Sequence, residues 1–553
     1  MSVILISGPD MAAKGRPQPV LTCPKLRFFK HLRNARHDPF FVSSGQANAL
    51  PPSILPVADL IASTTRVMRG AFDARALAAL DILLVVAPAG LRRAPAAFDG
   101  VWRLLLADGA PKAGDVRVAR AANASATRVV AGFAGRTDTF SRLALAGRMC
   151  RELGERASRR IGVLALTADE TADLDALLAA LHAHAFRLPR YGRRTEERGK
   201  RRSPGEIRVY SASPPDLARA TATGRGTNLA RWLTALPPNK LDAPGYRRAI
   251  AGLAKTHGLA FRWYDERALR RLGAGCFLAV SGGNAERTAG IARLSWRPRT
   301  RHGARTPDVA LVGKGVLFDT GGNNLKPHRA MLDMHTDMAG SAVALATLVA
   351  LAELRAPFAA DAWLAITENR IGPAAYLPQD VLRAMNGVTV QVIHTDAEGR
   401  LVLADTLALA GRSRPRLMLD FATLTGTCEY ALTERMSGFF TNRPALLPAL
   451  TAAGAQSGER VWNFPMDPDY DSDIESQVAD IAQCAVDAKG DHIHGARFLS
   501  RFVPEGTAWA HFDLSAAVRK GGLAHVPTDI TGFGVRYALE LLLGTRILGD
   551  LRA

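Results

Sequence analysis

The sequence predicts an α/β protein in two parts: an N-terminal α/β domain, then a larger C-terminal α/β domain with a mainly parallel, helix-flanked sheet. Two observations carry this. Short apolar runs of strand length alternate with longer helix-length segments, the pattern of a parallel sheet wound with helices. The chain also has 553 residues, 48% of them hydrophobic and 22% charged, which is long for one domain and globular in composition.

In chain order, residues 1–55 include KLRFFKHLRNARH and the Pro/Ser/Gly-rich FVSSGQANALPPSILP. They hold no sustained period and are expected to be an appended, disordered segment. Residues 56–213 form the N-terminal domain. LDILLVVAP, ATRVVAGFAG and EIRVYS have the length and apolarity of buried strands, and FSRLALAGRMCRELGERA and DLDALLAALHAHAF those of helices. The basic stretch PRYGRRTEERGKRRSPG between the last helix and strand is expected to be an exposed loop. Residues 214–236 suit a linking helix, interrupted by Gly224 and Gly226 and stopped by Pro237 and Pro238. Residues 237–553 then alternate DVALVGKGVLF, MAGSAVALATLVALAEL, ADAWLAIT, VTVQVIH, LVLADTLALAG and RLMLDFATL. No fixed-period repeat is present.

No uncharged apolar run reaches the roughly 18 residues of a membrane helix, and the N-terminus lacks the basic region of a signal peptide. Cys23, Cys150, Cys276, Cys428 and Cys484 are scattered and form no C-x-x-C pair, which argues against a disulfide framework or a zinc ribbon and fits a reducing cytoplasm. The net charge of +20 is uneven: residues 1–225 hold 35 Lys and Arg against 19 Asp and Glu. That N-terminal excess could meet nucleic acid or another polyanion, although a solvated basic surface is the commoner cause.

In the second part, polar residues cluster after strands, where open α/β sheets place ligand sites. DVALVGKGVLF leads to Lys314, Asp319 and Lys326; MLDMHTDMAGS places Asp337 before an apolar helix; VTVQVIH runs into Asp396, Glu398 and Arg400; RLMLDFA leads to Thr423, Leu424, Thr425 and Gly426. Three strand ends are expected to converge on one sheet edge. Asp337 or Asp396 alone would pass for a helix cap, and Lys314 alone for a surface lysine. Several carboxylates at one edge repel unless a cation neutralises them. An oxygen-rich set with few His or Cys suits Mg²⁺, Mn²⁺ or Zn²⁺, and can bridge two ions.

GKGVLFDTGGNNLKP, MLDMHTDMAGSA, HTDAEGRLVLADTL and ATLTG, in this order and spacing, strongly resemble the leucyl (cytosol) aminopeptidase family of two-metal exopeptidases. The likeness covers roughly residues 230–550. The resemblance implies a macro-like N-terminal domain, a catalytic C-terminal domain, a homohexamer and cleavage of the first residue of a peptide. It further implies that Lys314, Asp319, Asp337, Asp396 and Glu398 ligate two divalent ions, with Asp319 and Glu398 bridging. Arg400 would hold a bicarbonate ion that takes a proton from the attacking water, and Lys326 would stabilise the oxyanion. Met334, Thr423 and Leu424 match positions near the first side-chain pocket, so a leucine-like first residue is expected.

The chain departs from the family pattern in places. His394 stands where asparagine is usual, so it either changes hydrogen bonding around the ligands or adds a nitrogen near the metal. His335, Thr336, Asn323 and Asn324 are also unusual, and NRIGPAAYLPQD departs from a glycine-rich loop. None of these removes an implied ligand. The competing expectations are a nucleic-acid-binding protein or silent scaffold on this fold, or another metallohydrolase such as a phosphoesterase.

Overall fold

Two sheets and the helices packed on them account for the alternating apolar pattern. The computed structural model describes residues 54–551 apart from 57–59, 62, 92–95, 137, 155–159, 193–204, 300–305 and 488. The expectations for residues 1–53 and for most of the basic loop at 189–205 lie outside the described residues.

The first sheet has six strands in the order Thr64–Met68, Glu206–Tyr210, Arg160–Ala165, Ile82–Pro88, Arg128–Ala134 and Val116–Arg120. Every pairing is parallel except the last. Ile82–Pro88 lies between two parallel neighbours and is an almost unbroken run of buried Ile, Leu and Val, as a strand covered on both faces must be. Helices Thr139–Arg151 and Glu170–Ala185 cover one face, and Phe98, Trp102 and Leu105 pack on the other.

The second sheet has eight strands, ordered Val461–Asn463, Ser437–Thr441, Ala508–Asp513, Leu417–Ala422, Val309–Asp319, Ala360–Asn369, Gly290–Trp296 and Ala260–Asp265. The central four run parallel, with antiparallel pairings on either side. Leu311 pairs with Leu419 on one side and Ala362 on the other. Along this central strand Val309 and Leu311 enter one core while Ala310 and Val312 enter the other, the two-residue period of a strand with two buried faces. Helices Ala339–Glu353 and Val535–Leu543 fill the first face, and Glu398–Gly411 the second.

Helix Ala339–Glu353 is strongly apolar, and all but its last residue are buried. It lies so close to the sheet that a Cβ at Gly340 would sit 2.0 Å from the carbonyl oxygen of Phe421; only glycine fits there. Helix and preceding turn, His328–Glu353, are long and apolar enough to cross a membrane, but 89% of the relevant window is buried inside the protein, so this is a core element.

Two local expectations are corrected. Leu217–Thr234 is one unbroken helix, started by Asp216, whose carboxylate accepts from the Arg219 N–H at 3.0 Å. Gly224 and Gly226 do not break it. They admit neighbours: added Cβ atoms would stand 2.6 Å from His182 Nδ1 and 3.1 Å from Val535. Likewise, VTVQVIH does not join the main sheet. Only Thr389–Gln391 is a strand, in a separate three-stranded sheet with Val381–Arg383 and Ile481–Ala482. Its alternation records burial, while its partner at Ile481 lies about ninety positions away.

Candidate metal centre

The C-terminal ends of Val309–Asp319 and Leu417–Ala422 open toward the loop that precedes helix Glu398–Gly411. Here the structure assembles the acidic cluster. Ligand oxygens of Asp319, Asp396 and Glu398 all lie within 4.8 Å of one another. Asp337 joins them through Lys314, whose Nζ is 2.8 Å from Asp337 Oδ1 and 2.8 Å from Glu398 Oε1. The same amine donates to the carbonyl of Thr423 at 2.9 Å. Lys326 Nζ pairs with Asp319 Oδ2 at 2.9 Å and Asp396 Oδ1 at 2.6 Å.

The capping explanations for the aspartates fail. The residues preceding helices Ala339–Glu353 and Glu398–Gly411 are Met338 and Ala397, with no side-chain cap. Asp337 instead accepts from the Thr423 hydroxyl at 2.8 Å.

Four carboxylates face two ammonium groups in a mostly buried space, so negative charge is in excess. Burial, with Asp319 and Glu398 beside it, pushes Asp396 up to about 7 despite Lys326. Burial also lifts Asp337 well above the ordinary carboxylate range, and Glu398 and Asp319 add to the rise. For Lys314 burial acts the other way, but Asp337, Glu398 and Asp319 outweigh it and hold the ammonium above its usual range. Lys326 is raised in the same manner by Asp319, Glu398 and Asp396. Both kinds of group shift toward binding a cation, whether proton or metal.

The donor set fits divalent metal. Glu398 is 1% exposed, yet its Oε2 has no partner and its Oε1 meets only the Lys314 ammonium; Asp337 Oδ2 is likewise buried without a partner. Buried carboxylate oxygens without donors are costly unless a cation takes them. A metal would also reverse the position of Lys314, because a dication at 2–3 Å disfavours the ammonium and frees a neutral amine.

Other residues hold this geometry, and of these Asn369, Thr395, Gln483 and Asp513 were not singled out by the sequence analysis. Asn369, at the end of strand Ala360–Asn369, donates to Asp319 Oδ1 at 2.8 Å and to the carbonyl of Thr395 at 3.0 Å. Asn324 and Thr395 bind each other twice through the backbone, Asn324 N–H to Thr395 Oγ1 and Thr395 N–H to Asn324 Oδ1, both at 2.8 Å. These bonds stitch the loop after Asp319 to the loop before Glu398. Gly321 and Gly322 make the turn between them with φ of +85° and +64°, values that suit glycine. Gln483 accepts from the Ile393 and His394 N–H groups and donates to the Ala397 carbonyl. Asp513 accepts from the Leu424 N–H at 3.0 Å and the Thr425 hydroxyl at 2.6 Å, fixing the loop that carries Thr423.

His394 turns its Nδ1 to the Asp396 N–H at 3.2 Å. It thus does through a ring nitrogen what an asparagine oxygen does in an Asx turn. Thr423, Leu424 and Met334 are half-buried. Arg400 is 1% exposed: Nη1 donates to the Gln483 carbonyl at 3.1 Å, and Nη2 to Asp491 Oδ2 at 2.7 Å.

Comparison with known proteins shows the family. The model of the cytosol aminopeptidase family, catalytic domain, matches residues 228–539. A probable cytosol aminopeptidase of Synechococcus sp. (strain CC9605) is 37% identical over 374 residues, spanning 66% of this chain and 75% of that protein. One from Streptomyces coelicolor is 35% identical over 401 residues, 69% of this chain and 76% of the other. Among solved structures, the bottromycin maturation enzyme BotP in complex with Mn aligns with a TM-score of 0.72 and 30% identity, covering 84% of this chain and 99% of its own. The chain belongs to the cytosol aminopeptidase family, and its reaction is the metal-dependent hydrolysis of an N-terminal peptide bond.

Proposed function

We propose that Lys314, Asp319, Asp337, Asp396 and Glu398 hold two divalent ions and that residues 237–553 carry the reaction, with 56–213 as a separate domain joined through 214–236. The buried Glu398 carboxylate, its Oε2 without a partner and its ligand oxygen within 4.8 Å of those of Asp319 and Asp396, is the observation that carries this assignment. Bound there, divalent ions polarise a carbonyl and acidify water. The peptide's free α-amine, as a further ligand, restricts cleavage to the first residue.

The chain's own groups do the rest. Lys326 is 14% exposed, at the mouth of the cluster. With Asp319 and Asp396 holding metal, its ammonium would be free to face the oxygen of the scissile carbonyl, where negative charge develops. Asp513 holds the backbone around Leu424, so Met334, Thr423 and Leu424 present a fixed, mostly apolar wall to the first side chain, consistent with a leucine-like preference. The bicarbonate that the resemblance implies for Arg400 would share the guanidinium with the carboxylate of Asp491, which already accepts from Nη2.

The test is chelator-stripped protein on leucine p-nitroanilide and a leucyl dipeptide, with Mn²⁺, Zn²⁺ or Mg²⁺ restored. Because BotP was solved with Mn, Mn²⁺ is tried first. Metal-restored leucine release supports the assignment, and Glu398→Ala is expected to abolish it; near-normal turnover of that variant in metal-defined buffer refutes the bridging role. A panel of first residues measures the preference.

We further assign a cytoplasmic location, after the cytosol aminopeptidases it resembles, and a homohexamer, which light scattering would report as six times the chain mass. The charge excess in residues 1–225 supports a nucleic-acid contact. Salt-dependent DNA retention that survives loss of the metal ligands would establish it.

A further inference from the structure

Arg400 is a buried cation with one counter-charge. Its side chain is 1% exposed, and the Asp491 carboxylate that accepts from its Nη2 at 2.7 Å is 22% exposed, so the pair runs from the core to an accessible edge. Gln483, itself wholly buried, takes Nη1 through its carbonyl while its side chain clamps the segment Ile393–Ala397. The guanidinium is thereby fixed to the same loop that carries Asp396 and Glu398. Asp491 is held independently. It is the first residue of the ten-residue helix Asp491–Ser500, directly after Gly490 in the left-handed conformation at φ +68°, and a carboxylate in a helix's first turn is favoured by the dipole. Nε is the one guanidinium nitrogen left without a partner, and an external anion there would place a second negative charge against a cation that Asp491 already neutralises.

We propose that Asp491 is the resident anion on Arg400 and takes the place of a bicarbonate drawn from solution, so that turnover by this protein is independent of bicarbonate. This rests on the two-metal assignment of the acidic cluster. As the water oxygen bonds to the scissile carbonyl carbon, its proton passes to the Asp491 carboxylate. The resulting carboxylic acid returns the proton to the leaving amine nitrogen as the C–N bond breaks. The carboxylate is regenerated, and no other reactant is consumed.

The experiment uses full-length, Mn²⁺-loaded protein in carbon-dioxide-depleted buffer, titrated with sodium bicarbonate at constant ionic strength. Wild-type turnover should stay flat. Asp491→Ala should lose about 100-fold in kcat, a typical contribution of a positioned base, and bicarbonate should restore at least tenfold of it with saturation. Asp491→Asn, which fills the position without charge, should lose activity and not recover. As a readout apart from turnover, bicarbonate should raise the thermal midpoint of Asp491→Ala and leave that of the wild type unchanged. The proposal is overturned by a wild type that bicarbonate stimulates several-fold, or by an Asp491→Ala variant with wild-type turnover. If no metal restores hydrolysis, the two-metal assignment fails, and the thermal midpoints still decide whether Asp491 keeps bicarbonate off Arg400.

Discussion

Changing Gly399 to alanine probes the metal cluster from the helix side. Gly399 is the second residue of helix Glu398–Gly411, and a Cβ there would lie 2.7 Å from Lys314 Nζ and 2.9 Å from its Cδ. Ordinary contact begins near 3.4 Å, so the amine must retreat by about 0.7 Å to relieve the overlap. It has little room, since Asp337, Glu398 and the Thr423 carbonyl surround it at 2.8–2.9 Å. Metal-ligand distances tolerate only about 0.2 Å. Disturbance of a metal's surroundings commonly costs about 10–100-fold in affinity, or roughly 1.4–2.7 kcal/mol. Stability should change less, because alanine favours a helix over glycine by about 1 kcal/mol and offsets part of the strain. Calorimetric titration of stripped protein with Mn²⁺, beside a thermal melt, separates the two effects. Wild-type metal affinity and turnover in Gly399→Ala would remove Lys314 from the ligand set.

Asn324→Ala leaves the Thr395 N–H without its 2.8 Å acceptor, so unfolding in denaturant should show a loss of about 1–3 kcal/mol; an unchanged midpoint would mean the two loops are held by other bonds. Removing metal with a chelator returns the excess negative charge to the cluster, and Mn²⁺ at about 100 times its Kd should restore roughly 2.7 kcal/mol; equal melting curves with and without metal would argue against binding. Burial pushes Glu459 up to about 7, although the Tyr537 and Gly534 N–H groups and Arg536 favour its charged form. Its folded pKa lies above the unfolded 4.5, so the stabilising contribution is full below that value and is lost as pH rises through about 7. Glu459→Gln should remove this component, and a variant whose melting midpoint falls between pH 5 and 8 as steeply as the wild type's would refute the assignment.

The sheet was legible because its central strands are buried on both faces and therefore read as dense apolar runs. The acidic cluster was legible because Asp319, Asp396 and Glu398 follow apolar segments directly. What escaped was decided by distant partners. Asn369 reaches Asp319 across 50 positions and Asp513 reaches Leu424 across 89, and in sequence each is simply a polar residue at the end of a strand. Asp491 is the sharpest case. Its type says only that a carboxylate starts a helix, and its pairing with Arg400, 91 residues earlier, exists only once both helices are docked. The expectation that VTVQVIH joins the main sheet failed for the same reason, since an alternating pattern states which side is buried and not which sheet receives it.

Helix Ala339–Glu353 also has a consequence for synthesis. One of its covers, helix Val535–Leu543, leaves the ribosome some 190 residues later, which at about 5–20 residues per second is roughly 10–40 s. Throughout that interval a segment with the length and apolarity of a membrane anchor is covered only by earlier elements, chiefly helix Leu217–Thr234 and strand Val309–Asp319. Production of this protein therefore depends on whatever shields that segment during translation, and a shortage of such helpers should divert the chain toward aggregation or mistargeting before any metal can bind.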